Sequence, residues 1–163
     1  MTAGTLYGIG AGPGDPQLIT LKALEILKRV KFVFAASSTR NTYSLAVGIV
    51  SPFLGEDVSV ELVGFPMTHN KTELRTAWRD NARKMLKHLR KGKDAAFVTL
   101  GDPMTYSTFG YIMQTIRETD PDVPIEIIPG ITSYQAGAAA ACRVLAEAEE
   151  SFTVISGPWA PKG

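Results

Sequence analysis

With 163 residues, 45% of them hydrophobic and 20% charged, the chain has the make-up of one globular domain, or of one domain and the start of another, far from the composition of disorder. The 17 basic residues nearly balance the 16 acidic ones, and a net charge of +1 indicates no particular partner. The longest small-apolar run, Ala136 to Cys142, is far short of the roughly 20 residues of a bilayer span, and Met1 to Gly10 lacks a basic stretch followed by an apolar one, so neither a membrane segment nor a secretory leader is expected.

Six apolar, β-rich stretches recur in chain order: Thr5 to Gly10, Phe32 to Ala36, Val58 to Val63, Ala95 to Leu100, Ile125 to Ile128 and Phe152 to Ser156. Turn residues and helical patterns separate them, the alternation of an α/β fold with an open, mainly parallel sheet and flanking helices. Several are continuous apolar runs, as expected of strands covered on both faces. After the first strand, Asp15 can cap a helix, Pro16 suits its first position, and Leu18, Leu21, Leu24 and Leu27 predict a buried stripe ending near Val30. A long helix is expected from about Glu73 to Lys91, with Leu74, Trp78, Met85, Leu86 and Leu89 on one side and Gly92 as its stop. Shorter helices follow Ser107 and Ser133; the second is alanine-rich, which permits close approach to a sheet, and it carries Cys142 as a small buried residue. Residues 1–146 then form one α/β domain, and 147–163 a linker and the first strand of an incomplete second one. A single cysteine excludes an intrachain disulfide framework and makes a reducing, cytoplasmic setting the default.

In an open parallel sheet, ligands bind beyond the carboxyl ends of the strands, so the turns after strands are where chemistry is expected. Three stand out: Gly8-Ile9-Gly10-Ala11-Gly12-Pro13-Gly14-Asp15, Gly101-Asp102-Pro103-Met104-Thr105-Tyr106 and Pro129-Gly130-Ile131-Thr132-Ser133-Tyr134. Glycine permits positive φ and uncovers backbone amides, which suits a small cofactor held by main-chain bonds. A dinucleotide G-x-G-x-x-G register fails from Gly8, which meets Pro13, and from Gly10, which meets Asp15; no P-loop motif exists.

These three segments, with Leu-Ile-Thr-Leu-Lys-Ala after the first and Ser107-Thr108 after the second, resemble the tetrapyrrole methylases, which transfer a methyl group from S-adenosylmethionine. The likeness covers essentially the whole chain. Met104 to Thr108 and Gly64-Phe65-Pro66-Met67 look like the branch that methylates precorrin-2 at C-20 in cobalamin synthesis, with diphthine or ribosomal RNA methylation as rival branches. The resemblance implies that the first turn faces a tetrapyrrole cleft with Pro13 near the cofactor. It further implies that Leu100, Gly101, Asp102 and Thr105 hold the cofactor's amino-acid part, and that Thr132 and Ser133 complete the pocket. Family members continue into a second α/β domain that also contacts the cofactor, and homodimers are common among them, so a second copy of the chain is an expected partner.

Methyl transfer from a sulfonium to an electron-rich carbon depends on positioning, and no general base is assigned. Asp102 has two readings, cofactor ligand or turn stabiliser, and Asp15 reads as a helix cap. Tyr106 and Tyr134 can stack on a ring or pack. Lys71, Arg75, Arg79, Arg83, Lys84, Lys87, Arg90, Lys91 and Lys93 are either a solvated face or a field attracting a carboxylate-rimmed substrate. Nucleic acid is not an expected partner, because aromatics are not interleaved with these cations. His69, His88 and Cys142 lack metal-ligand companions. Two other classes remain: a domain that binds ligand without turnover, and, more distantly, a nucleotide-dependent oxidoreductase.

Overall fold

Between residues 1 and 133 the described residues form five parallel strands, β1 (Leu6–Gly10), β2 (Phe32–Ser38), β3 (Ser59–Phe65), β4 (Ala95–Thr99) and β5 (Ile125–Ile128), in the spatial order β3-β2-β4-β1-β5. They are seen in a computed structural model that describes residues 2–38 and 43–155. Alternate side chains of each strand enter opposite layers. Tyr7, Ile9, Val33, Ala35, Ala96 and Val98 pack with α1 (Leu21–Arg29) and α2 (Leu45–Val50). Leu6, Phe34, Val63, Phe65 and Phe97 pack with α3 (Lys71–Leu89) and α4 (Phe109–Thr119). Both faces are therefore covered, which is why the central strands are almost wholly apolar.

Neighbouring β1 and β4 send their chains to opposite faces, β1 into α1 and β4 into α4. This is the switch point of the sheet, where a crevice opens beyond the carboxyl ends. The loops after β1, β4 and β5 all emerge there, because the three strands are adjacent and parallel.

The first helix departs from the expected form. Asp15 accepts from Gln17 N at 2.8 Å over a short 3-10 turn, Pro16–Leu18; Thr20 then caps α1 afresh, its Oγ1 accepting from Ala23 N. The buried stripe is Ala23, Ile26, Leu27 and Val30, and Leu21 is 78% exposed. Four leucines three apart cannot share one face, since each step of three falls about 60° short of a full turn. The long helix starts at Lys71 with Asn70 accepting from Thr72 N and Glu73 N, and Gly92 at φ 71° follows its end. Helix α2 was not expected; it is short, contains Gly48 and has no side-chain cap.

Residues 134–163 are a separate packing unit. Helix α5, Ser133–Ala140, runs into it and contains no buried residue. Cys142 is exposed: the helix stops two residues before it, and with φ 50° it occupies the left-handed position of a closing turn. The expected strand Phe152 to Ser156 is not formed over 152–155, which takes no regular secondary structure, and Ser156 lies outside the described residues. No described helix is long and apolar enough to cross a membrane.

Candidate functional site

The three glycine-bearing loops close on one another at the carboxyl edge. A Cβ on Gly10 would lie 2.5 Å from the carbonyl oxygen of Gly101 and 2.6 Å from Cα of Gly130. Only glycine allows main chain to meet main chain at this range. Gly12 N donates to Gly101 O at 3.3 Å, Gly101 N donates to Gly12 O at 2.8 Å, and Ala11 N donates to Thr99 O at 2.8 Å, so the first loop is zipped to the second. Gly12 and Gly101 take φ of 81° and 66° to make that bridge.

Asp102 joins the second loop to the third. Its Oδ1 accepts from Met104 N at 2.8 Å and from Thr105 Oγ1 at 3.4 Å, while Oδ2 accepts from Gly130 N at 3.1 Å. The carboxylate thus does more than stabilise its own turn: it sets the spacing between the loops after β4 and β5. Downstream, Ser107 Oγ donates to Thr99 Oγ1 at 3.0 Å and accepts from Phe109 N at 3.1 Å, anchoring the start of α4 to the end of β4.

The structure brings the expected residues together unevenly. Leu100, Gly101, Asp102 and Thr105 share one loop; Pro13 flanks the Gly12–Gly101 bridge; Thr132 and Ser133 follow Gly130 on the third loop. Leu100 is 46% exposed and lines a cavity of about 260 Å³ with Val98, Thr99 and the start of α2. Gly101 and Asp102 are engaged in bonds between loops, which makes them braces, and Thr132 is buried. Tyr106 was not expected to be strained, yet it takes φ 49° and is 71% exposed. The ring of Tyr134, within the second unit, lies 5.3 Å from that of Phe152.

Around the cleft the electrostatics are simple. On α3, Arg83 pairs with Asp80 and Lys84 with Glu61, and Arg90 just past its end pairs with Asp120, whereas Arg75 and Arg79 have no ion-pair partner among the described residues. His88, on the same helix, is held below its ordinary pKa, chiefly by burial and further by Lys87 and Lys93. Among the described residues no three His, Cys, Asp or Glu side chains are grouped to hold a metal ion.

The doubly wound sheet with glycine loops meeting at its switch point is the frame of this site, and residues 5–163 match the family model of the Tetrapyrrole (Corrin/Porphyrin) Methylases: the chain belongs to that family. It is 37% identical over 153 residues to the cobalt-precorrin-2 C(20)-methyltransferase of Salmonella typhimurium, covering 94% of this chain and 63% of that protein. It is also 37% identical over 150 residues to a probable cobalt-precorrin-2 C(20)-methyltransferase of Methanocaldococcus jannaschii, again covering 63% of it and 92% of this chain. The chain therefore spans a little under two thirds of the length of these relatives. Among solved structures, a cobalt precorrin-4 methyltransferase superposes with a TM-score of 0.67 at 34% identity, over 93% of this chain and 56% of that one. The uroporphyrin-III C-methyl transferase of Thermus thermophilus, complexed with S-adenyl homocysteine, does so with a TM-score of 0.62 at 28% identity, over 83% and 48%.

Proposed function

We propose that this chain forms the first domain of an S-adenosylmethionine-dependent C-methyltransferase that methylates a reduced tetrapyrrole, precorrin-2 or its cobalt-bearing counterpart, at C-20. The observation that carries the reading is the three-loop junction at the switch point of the sheet, in a chain whose relatives named above are called C(20)-methyltransferases. The division expected in the sequence, a domain over 1–146 followed by the start of another, belongs to the same proposal.

The residues fit such a cofactor in two respects. Gly10 and Gly130 leave no room for a Cβ and Gly101 takes a φ of 66° that favours glycine, so main chain forms the floor, and Leu100, Met104 and Tyr106 stand exposed beside it. An apolar side chain over a polar floor suits a ligand with a flat ring and a short zwitterionic arm. Pro13, Leu100, Gly101, Asp102, Thr105, Thr132 and Ser133 would hold it. When bound, the cofactor supplies an activated methyl group on a sulfonium. The chain contributes orientation: Asp102 and the Gly12–Gly101 bridge keep the loops in one register, and positioning of reactants is worth on the order of 7–11 kcal/mol in favourable cases. Apolar surroundings favour loss of the sulfonium charge.

The test is calorimetric titration of S-adenosylmethionine and S-adenosylhomocysteine into the 163-residue chain, followed by a methyl-transfer assay with precorrin-2 and cobalt-factor II. Saturable binding is expected; a folded sample that binds neither compound overturns the cofactor assignment.

A further inference from the structure

A second groove lies away from the three loops, on the outer seam between α3 and α4. Its volume is about 300 Å³, and Arg75, Trp78, Arg79, Tyr111, Gln114 and Glu118 line it. The rings of Trp78 and Tyr111 stack at 4.3 Å and 4°, bridging the two helices. Their faces cover one another, and the rim of an aromatic ring is the positive end of its quadrupole. Arg75 and Arg79 stand one helical turn apart, so two like charges sit side by side on the same flank. The one carboxylate in the groove does not neutralise them: Glu118 Oε1 accepts from Gln114 Nε2 at 3.1 Å, and neither arginine makes an ion pair with it. Two guanidinium groups with no ion-pair partner among the described residues, beside a positive aromatic rim, are complementary to closely spaced carboxylates, which a guanidinium binds through paired N–H donors. Both helices start at the carboxyl edge of the sheet; Arg75 and Tyr111 lie in their first two turns and Glu118 in the last turn of α4, so the groove runs along the seam from that edge.

We propose that this α3–α4 groove is a peripheral docking site for the carboxylate arms of a tetrapyrrole, separate from the cofactor loops; it rests on the tetrapyrrole reading above. The probe is uroporphyrin III, titrated into the full chain carrying Trp159→Phe, so that Trp78 is the sole tryptophan reporting. Saturable quenching of Trp78 is expected. Arg75→Gln with Arg79→Gln is expected to weaken it about tenfold or more, the effect of losing charged hydrogen bonds. Glu118→Gln, which removes the opposing charge, is expected to tighten it about threefold. A purely structural role for the arginines would not produce opposite shifts in the two variants. Excess tricarballylate is expected to compete, showing that carboxylates are what the groove reads. Absence of quenching, or equal affinity in all three proteins, overturns the proposal. Calorimetry with S-adenosylhomocysteine on the same proteins is expected to be unchanged; its failure in the unsubstituted chain would count against the cofactor reading alone.

Discussion

Both edges of the sheet are tied across by an aspartate, but to different ends. At the amino edge, Asp94 Oδ1 accepts from Thr5 N at 2.8 Å, joining the chain entering β1 to the chain entering β4. At the carboxyl edge, Asp102 joins the loop after β4 to the loop after β5. Around Asp94 the structure is closed by ordinary means: Gly92 terminates α3, and Gly4 N donates to Leu89 O at 2.8 Å. Main chain meets main chain at both edges, since a Cβ on Gly4 would fall inside contact of the Lys93 carbonyl oxygen; what sets the Asp102 side apart is a non-glycine residue in the left-handed region, Tyr106 at φ 49°, and large apolar side chains open beside it. Strained non-glycine backbone and uncovered apolar side chains are what the proposed cofactor site would use, and both lie beside Asp102.

The largest expected effect comes from breaking the carboxyl edge at its tightest point. A Cβ on Gly130 would fall well inside contact of the Gly101 carbonyl oxygen and 2.8 Å from Cα of Gly10, all backbone atoms that cannot rotate aside. Gly130→Ala is expected to cost about 2–3 kcal/mol in urea denaturation, as overpacking does, and to abolish S-adenosylhomocysteine binding by calorimetry. Unchanged binding would mean that the three-loop junction is not the cofactor floor.

The paired aspartates sharpen the comparison. Asp94→Ala strands one backbone donor, Thr5 N, and Asp102→Ala two, Met104 N and Gly130 N, so each is expected to lower stability by about 1–2 kcal/mol, Asp102→Ala the more. Only Asp102→Ala is expected to weaken S-adenosylmethionine and S-adenosylhomocysteine as well, because only there does the bond set loop spacing. Equal affinities in the two variants would reduce Asp102 to a structural residue. A smaller effect of opposite sign is expected on α4, where a Cβ on Gly110 meets nothing within 4 Å. Gly110→Ala is expected to gain about 0.5–1 kcal/mol in the same denaturation experiment, by lowering the backbone entropy of the unfolded chain.

Much of this is legible in the sequence alone. Continuous apolar strands, the stop at Gly92 and the three turns follow from local chemistry, and the parallel order places those turns on one edge. The phase of α1 was not legible, because Asp15-Pro16 and Thr20 are both sound helix starts and the second one sets the register of the buried face. Nor was the dual role of Asp102: its bond to Met104 N is local and readable, whereas its bond to Gly130 spans 28 residues and exists only once β4 and β5 flank β1. The run from Phe152 has strand composition, but composition alone does not make a strand, and 152–155 takes no regular structure. The Trp78–Tyr111 stack likewise depends on two helices far apart in sequence coming side by side.

The smallest effect is expected at the amino edge, from His88. Its ring lies 3.8 Å from that of Phe32 and is only partly exposed, and burial, with Lys87, Lys93 and Lys91 against a weaker opposing Glu61, disfavours the imidazolium. The folded-state pKa therefore lies below the ordinary 6.5, so the unfolded chain takes up the proton first as pH falls. Stability from this group is fully present well above pH 6.5 and is lost as pH drops toward the folded value, so a shallow decline in the urea midpoint is expected as pH falls through and below 6.5. In His88→Leu that part of the decline is expected to vanish, while S-adenosylhomocysteine affinity stays the same across the range. An identical slope in both proteins would show that His88 titrates alike folded and unfolded. A change in affinity with His88 would show that the amino edge, on the far side of the sheet from the three loops, is coupled to the carboxyl edge after all.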